Sequence, residues 1–246
     1  MGSTTTGHRQ HWFATTHWSV IQSAGNASES GSRRAMETLC QGYWLPLYSY
    51  VRSRGYSAED AQDLTQEFFA RLIEHNRIAR ADQHRGRFRS FLLTALKNFL
   101  SDEWDKSRAQ KRGGTSQVVP LQYETGEVLY AREPANTITP EQIYERRWAL
   151  TLLDKVLTQL TAEQARDGKA ELFEALRPCL VGERIAQPYA ALAESLGMSE
   201  AGIKSAVHRL RRRYREVLRR EIANTVASAS EIDDELNYLF AVLARQ

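Results

Sequence analysis

Apolar residues recur at the spacing of an α-helix along almost the whole 246-residue chain, and this feature limits the fold more than any other. Leu39, Tyr43 and Leu47, for example, follow one another at intervals of one helical turn. Runs that alternate apolar and polar residues are nearly absent, and only residues 117–123 suggest an extended segment. The sequence therefore predicts an all-α protein.

Clusters of turn-forming residues divide the predicted helices into two groups. The stretch that begins at Gly113 mixes turn formers with isolated aromatic residues, which is typical of an interdomain linker. A chain of this length suits two modest domains, each with its own core. We predict a disordered amino terminus at 1–15, a first helical domain at 16–112, a linker at 113–139, a second domain at 140–221 and a carboxy-terminal helical extension at 222–246. Within the first domain we expect a short helix over 16–24 and a longer helix that starts near Arg33.

Capping and turn signals place the helices of the second domain. Two helices are expected over about 140–160 and 162–177. A short helix over 189–196 should end at Gly197, and Ser199 can cap the helix that follows. A short helix, a tight turn and a second helix together make a helix-turn-helix.

The composition argues against several classes of protein. The two cysteines, Cys40 and Cys179, lie far apart and match neither a disulfide framework nor a zinc-binding pattern. There is no apolar run of about 18 residues and no leader-like amino terminus, so we expect a cytoplasmic protein with no membrane contact. No glycine-rich phosphate loop, metal-ligand cluster or nucleophile-and-base pattern is evident, so we expect neither an enzyme nor a bound cofactor or metal.

Positive charge is concentrated in one predicted helix. Between Glu200 and Arg220 eight cations face two acids, a local net charge of +6, whereas the whole chain carries only +3. Helical spacing directs five apolar residues inward: Ile203, Val207, Leu210, Tyr214 and Val217. Such a cationic face suits neutralisation of duplex phosphates, and the alternative is a solvated helix with no partner. The outward positions are Ala201, Lys204, Ser205, His208, Arg211, Arg212 and Arg215.

Negative charge is concentrated in an earlier helix. Ser57 and Asp60 make a capping signature, and the buried stripe of the helix that follows is apolar. The opposite face is acidic or amidic. The stripe is Ala61, Leu64, Phe68 and Leu72, and the opposite face is Glu59, Asp60, Asp63, Gln66 and Glu67.

Three segments in this order resemble the extracytoplasmic-function group of sigma-70-type sigma factors. YSAEDAQDLTQEFFARL (56–72) is similar to the helix of that family that binds the polymerase clamp. RFRSFLLTALKNFLSDEW (87–104) resembles its promoter-melting and minus-ten segment, and YAALAESLGMSEAGIKSAVHRLRRR (189–213) its minus-thirty-five helix-turn-helix. Three motifs in the family order are more specific than any one of them.

The resemblance implies a protein that directs core RNA polymerase to promoter DNA, with an anti-sigma protein as a further candidate partner. It implies polymerase contacts at Asp60, Asp63, Leu64, Gln66, Glu67 and Phe68. It implies minus-ten contacts at Arg85, Arg87, Arg89, Lys97, Asn98, Ser101, Trp104 and Arg108. It implies minus-thirty-five contacts at Ser199, Lys204, Ser205, His208, Arg209, Arg211, Arg212 and Arg213.

Other functions remain open at this stage. A helix-turn-helix regulator would bind an operator without polymerase, and an adaptor would keep the fold but not the promoter function. Trp104 and Phe91 can serve either as stacking platforms for unpaired bases or as core residues. The extension at 222–246 is expected either to pack on the second domain or to bind a regulator.

Overall fold

The computed structural model describes residues 29–74, 78, 81–82, 86–109, 126–127, 130, 138–180 and 188–244. Every regular element in these ranges is helical, which confirms the predicted all-α class. The predicted disordered terminus at 1–15, the helix expected over 16–24 and the extended segment at 117–123 lie outside the described residues. The eight α-helices of the described ranges are α1 (Glu29–Ser53), α2 (Ala58–Glu74), α3 (Phe88–Ala109), α4 (Pro140–Arg166), α5 (Ala170–Leu176), α6 (Tyr189–Ser195), α7 (Glu200–Ala223) and α8 (Ile232–Ala244).

Helices α1, α2 and α3 pack around a core rich in aromatic side chains. Phe88 meets Tyr43 edge to face with ring centroids 5.5 Å apart, and Phe68 lies 5.8 Å from Phe99. Gly55, with φ of 92°, makes the turn between α1 and α2. Residues that the sequence assigned to one face of each helix therefore meet in a shared interior.

Helix α2 begins at the predicted cap. The backbone amide of Asp60 donates to the hydroxyl oxygen of Ser57 at 3.0 Å. Helix α1 begins at Glu29, earlier than the predicted start near Arg33.

Helix α4 is longer than the sequence suggested. The predicted break near residue 161 is wrong, because the hydroxyl of Thr161 donates to the carbonyl oxygen of Leu157 at 2.9 Å within a continuous helix. Leu160 is fully buried at the same point. The chain turns instead at Gly168, whose φ of 70° lies in the left-handed region.

Helix α4 joins the two halves of the chain. One side packs extensively along α1, and other parts contact α5, α7 and α8. The buried residues consequently form one continuous cluster that runs from Leu39 in α1 to Val242 in α8. The domain boundaries at 112 and 140 stay a prediction, and the structure adds that α4 contacts both proposed domains.

Two short parts of the predicted linker lie against α1. Glu127 accepts a hydrogen bond from the Arg52 side chain at 2.6 Å, and Arg52 lies 5.0 Å from the ring of Tyr130. Hydrogen bonding to Arg52 lowers the pKa of Glu127 below its ordinary value. These described linker residues therefore make specific contacts with α1.

Candidate nucleic-acid interface

Helix α7 presents the cationic face that the sequence predicted. All seven predicted outward positions are exposed, and Ile203, Val207, Leu210 and Val217 are buried beneath them. Tyr214, also expected inside, is partly buried. The cationic side chains lie on the solvent side of α7 because the apolar residues, which recur every three or four positions, all lie on its inner side.

The turn before α7 is tightly defined. Gly197 has φ of 61°, and the hydroxyl oxygen of Ser199 accepts from the backbone amide of Gly202 at 3.1 Å. A Cβ atom on Gly202 would approach that hydroxyl to 3.2 Å, so the small residue serves the cap itself. Ser199 is thus engaged in capping, and its predicted DNA contact stays a prediction.

Two cationic side chains of α7 form hydrogen bonds with residues outside the helix. The guanidinium of Arg211 donates twice to the carbonyl oxygen of Cys179, at 3.0 and 2.9 Å. Arg213 donates to Glu163 of α4 at 2.9 and 3.0 Å and also pairs with Glu216. Their donors thus hold α7 against neighbouring elements in this structure, and their predicted contacts with DNA stay a prediction.

The remaining predicted cations of α7 have only local partners in the described structure. Lys204 pairs with Glu200 at 2.7 Å and Arg212 with Glu216 at 3.1 Å, each one helical turn away. Arg209 donates to the hydroxyl of Ser205 at 2.7 Å. Exposed pairs of this kind are weak and exchange readily with solvent or a phosphate. His208 is exposed on the same face.

The middle and end of α3 line an open groove. Asn98, Ser101 and Trp104 are exposed, and the Trp104 side chain has 58 % of its surface accessible. Phe91 is partly buried and stacks on Phe88 with centroids 5.8 Å apart, so it belongs mainly to the core. Of the two candidate stacking platforms, the structure therefore exposes Trp104.

The groove has a volume of about 800 Å³ and is lined by both polar and aromatic groups. Tyr50 of α1, Arg54 in the turn after it, and Lys97 and Trp104 of α3 line it. The acids Asp60 and Glu141 also line the groove. Sequence reasoning missed Arg54 and Tyr50, although the turn at Gly55 indicated that the end of α1 lies near the start of α2. A cation beside an exposed indole suits a nucleotide with its phosphate.

The start of α3 is not exposed as predicted. Arg89 has 3 % of its surface accessible and donates to Glu145 of α4 at 2.8 Å and to Glu235 of α8. Arg87 pairs with the same Glu235 at 2.7 Å. Both guanidinium groups are held by carboxylates in this structure, and their contact with DNA stays a prediction.

Lys97 is also paired across elements. Its ammonium group lies 2.6 Å from the carboxylate of Glu141 in α4, at the edge of the groove. Hydrogen bonding to Lys97 lowers the pKa of Glu141, and hydrogen bonding to Glu141 raises the pKa of Lys97. Arg85 and the side chain of Arg108 lie outside the described residues.

The predicted polymerase-binding face lies on α2, away from α7 in the sequence. Asp60 and Asp63 are exposed, and Glu67 is partly exposed and pairs with Arg71. Leu64 and Gln66 are partly buried. Phe68 is 3 % exposed and packs against Phe69 and Phe99, so it is a core residue here, and its predicted polymerase contact stays a prediction.

Other kinds of site find no support in the described residues. They contain no group of three or more histidine, cysteine or acidic side chains placed to hold a metal ion. Burial raises the pKa of the Cys40 thiol to about 12, which disfavours a reactive thiolate. Among the helices described, none is both long and apolar enough to cross a membrane.

Comparison with known proteins bears on the first three helices. Residues 42–110 match the family model for sigma-70 region 2. This match supports a sigma-70-family sigma factor. It spans the second half of α1, the whole of α2 and the whole of α3, and with them the acidic face and the groove. No curated protein and no solved structure gives a significant match to the chain.

Proposed function

We propose that the chain is an RNA polymerase sigma factor of the extracytoplasmic-function type, which binds core polymerase through α2 and promoter DNA through α3 and α7. The observation that carries the proposal is the sigma-70 region 2 match together with the exposed cationic face of α7 beyond it. A region of this kind implies core polymerase and promoter DNA as partners.

The proposed division of roles follows the charges. Asp60 and Asp63 on α2 would contact a basic or polar surface of the polymerase. Lys204, Ser205, His208 and Arg209 lie in the first half of α7, the half that recognition helices present to base edges in the major groove. Arg212 and Arg215 lie on the same face further along, where they would neutralise backbone phosphates.

The groove along α3 supplies the single-strand contact of the proposal. Trp104 would stack on an unpaired base of the opened strand, with Ser101 in the same groove and Asn98, exposed elsewhere on α3, available for hydrogen bonds. The guanidinium of Arg54, which also lines the groove, would pair with a backbone phosphate of the same strand. Stacking of this kind contributes about 1–3 kcal/mol per base.

Run-off transcription with core polymerase on a genomic promoter library tests the proposal. The intact chain should direct initiation at defined start sites. The double variant Asp60→Lys, Asp63→Lys should lose co-elution with core polymerase, whereas Glu171→Lys, an exposed acid on α5, should not. Absence of both co-elution and defined initiation for the intact chain would refute the proposal.

A second double variant separates polymerase binding from DNA binding. Arg212→Glu, Arg215→Glu should retain co-elution with polymerase and lose initiation, with Lys169→Glu as an exposed control on the α4–α5 turn. Arg211 is a poorer choice because its guanidinium is bonded to Cys179. An adaptor without promoter function would be indifferent to these reversals.

An operator-binding regulator is the second candidate. The exposed cationic face of α7, which follows the turn capped by Ser199, supports this function as well as it supports a sigma factor. It predicts tight, sequence-specific duplex binding by the isolated chain. A sigma factor should bind promoters well only with polymerase, so the two functions are distinguished by repeating the duplex-binding assay with and without core enzyme.

A further inference from the structure

Glu235 is a fully buried carboxylate near the start of α8. It contacts Arg87 and Arg89, which the chain places 148 and 146 positions earlier at the start of α3. Arg89 also lies 4.3 Å above the ring of Trp148 in α4 and 5.1 Å from the ring of Tyr238 in α8. Three helices therefore converge on one arginine.

The carboxylates of these ion pairs come from the second half of the chain, and the cations that they hold come from α3 and the residue before it. Glu235 and Glu145 hold Arg89, Glu235 holds Arg87, and Glu141 holds Lys97. A carboxylate binds a guanidinium with the same geometry as a phosphate does. The acids thus occupy the cations that nucleic acid would otherwise contact.

The closed arrangement is further fixed by polar contacts. The hydroxyl of Tyr144 donates to the carbonyl oxygen of Arg89 at 2.9 Å, and Arg146 donates to the carbonyl oxygen of Leu243 at 3.1 Å. Although burial disfavours its charged form, the carboxylates of Glu145 and Glu235 raise the pKa of Arg89 above its ordinary value.

Buried ion pairs give specificity to a contact more than net stability, because desolvation of both charges offsets much of their attraction. A contact of this composition can therefore open when a competing anion replaces the carboxylates. Phosphates are such anions, and one of the three paired cations, Lys97, already lines the groove that holds Trp104. The same cations cannot bind both at once.

We propose that α4 and α8 form an autoinhibitory latch on α3, in which Glu235, Glu145 and Glu141 withhold Arg87, Arg89 and Lys97 from single-stranded nucleic acid. Opening of the latch exposes the three cations and frees Lys97, which lines the groove that holds Trp104, from Glu141. The inference rests on the proposed function, because it takes the edge of α3 to be a nucleic-acid surface.

Hydrogen exchange and oligonucleotide binding by the full chain test the latch. Glu235→Gln removes the buried charge, and Asp234→Asn removes an exposed charge from the neighbouring position as a matched control. Amides of α8 should exchange faster in Glu235→Gln alone. Its affinity for a fluorescent single-stranded oligonucleotide should exceed that of the control by about tenfold, within the usual range of coupling between sites.

The unmodified chain provides a second readout that does not depend on a variant folding. Because coupling is reciprocal, saturating oligonucleotide should accelerate exchange in α8. Glu141→Gln, at a half-exposed position, should give a smaller gain in affinity than Glu235→Gln. Unchanged exchange in α8 with oligonucleotide, or equal affinities of Glu235→Gln and Asp234→Asn, would overturn the latch.

The run-off assay distinguishes failure of the latch from failure of the proposed function. If the intact chain directs initiation at defined sites but Glu235→Gln and Asp234→Asn do not differ in α8 exchange or oligonucleotide affinity, the latch is refuted and the sigma-factor proposal is not. Absence of initiation together with faster α8 exchange in Glu235→Gln would refute the promoter function. If the variant also failed to bind the oligonucleotide, the proposal that the latch controls nucleic-acid binding would be overturned.

Discussion

The start of α3 and the whole of α7 both carry cations that the sequence assigned to DNA, but these cations have different partners. Arg87 and Arg89 at the start of α3 are held by carboxylates from α4 and α8, whereas Lys204 and Arg212 of α7 pair with acids one turn away on the same helix. Charge density in a sequence therefore does not indicate whether a cation is available. Availability depends on acids that fold against it from distant positions.

The largest expected difference between the two helices is in stability. Arg89→Ala leaves Glu235 buried without its main partner, and loss of one member of a buried pair costs on the order of 3–5 kcal/mol. Arg212→Ala, the matched change on α7, should stay within about 0.5 kcal/mol because its pair is exposed. Urea unfolding of the two variants measures both values.

The size of the Arg89 effect also informs the latch. A loss of stability below this range that is accompanied by faster exchange in α8 would indicate that α8 detaches before the remainder unfolds. Equal losses of stability for Arg89→Ala and Arg212→Ala would contradict the contrast between the two helices, since the buried cation would then contribute no more than the exposed one.

The next effect concerns the exposed part of α3. Trp104→Ala should weaken binding of a single-stranded oligonucleotide by about 1–3 kcal/mol, the contribution of one stacked base. Trp104→Phe should recover much of the affinity, because an aromatic face is retained. Phe240→Ala removes another exposed aromatic side chain, on α8, and should have little effect. Equal losses of affinity at Trp104 and Phe240 would argue against a specific stacking site.

A smaller effect is expected for each phosphate-binding arginine on α7. Arg212→Gln, Arg215→Gln should weaken duplex binding and reduce the slope of log K against log salt by about 1.8, or about 0.9 for each phosphate that is no longer neutralised. Arg211→Gln should change the slope little, because its donors are bonded to Cys179. Titrations over a range of salt concentrations measure the slopes. If Arg211→Gln reduced the salt slope by the full value of about 0.9 expected for one phosphate, the hydrogen bonds from Arg211 to the Cys179 carbonyl oxygen must break when DNA binds.

The same contrast explains how far the sequence could predict the molecule. The period of apolar residues predicted the helical class and the inward face of α7, because burial of Ile203, Val207 and Val217 depends only on local spacing. The exposure of Asp60 and Asp63 followed from the same argument. Local rules suffice wherever a residue's surroundings come from its own helix.

Sequence reasoning failed where distant residues decide the outcome. Arg89 looks like a solvent-exposed cation until Glu235 is placed beside it from 146 positions away. Thr161 has the residue type of a helix cap, yet burial of Leu160 keeps the helix continuous. Phe68 belongs to both the acidic-helix motif and the core, and only packing against Phe99 decides between them.

The smallest expected effect concerns the anchoring of α7 to α4 and depends on pH. Hydrogen bonding to Arg213 lowers the pKa of Glu163 below its ordinary value, so this contact stabilises the fold above the unfolded pKa of about 4.3. The contribution is lost as pH falls through the lower folded value. Because Arg213 is partly exposed, Glu163→Gln should cost less than about 1 kcal/mol at neutral pH.

The difference in unfolding free energy between the intact chain and Glu163→Gln should therefore be constant from neutral pH to about pH 5 and should narrow below about pH 4. Glu171→Gln, an exposed acid on α5, should show no such narrowing. A difference that grows as pH falls would mean that the carboxylate is destabilised in the folded state, and α7 would then be held chiefly by its apolar face and by Arg211.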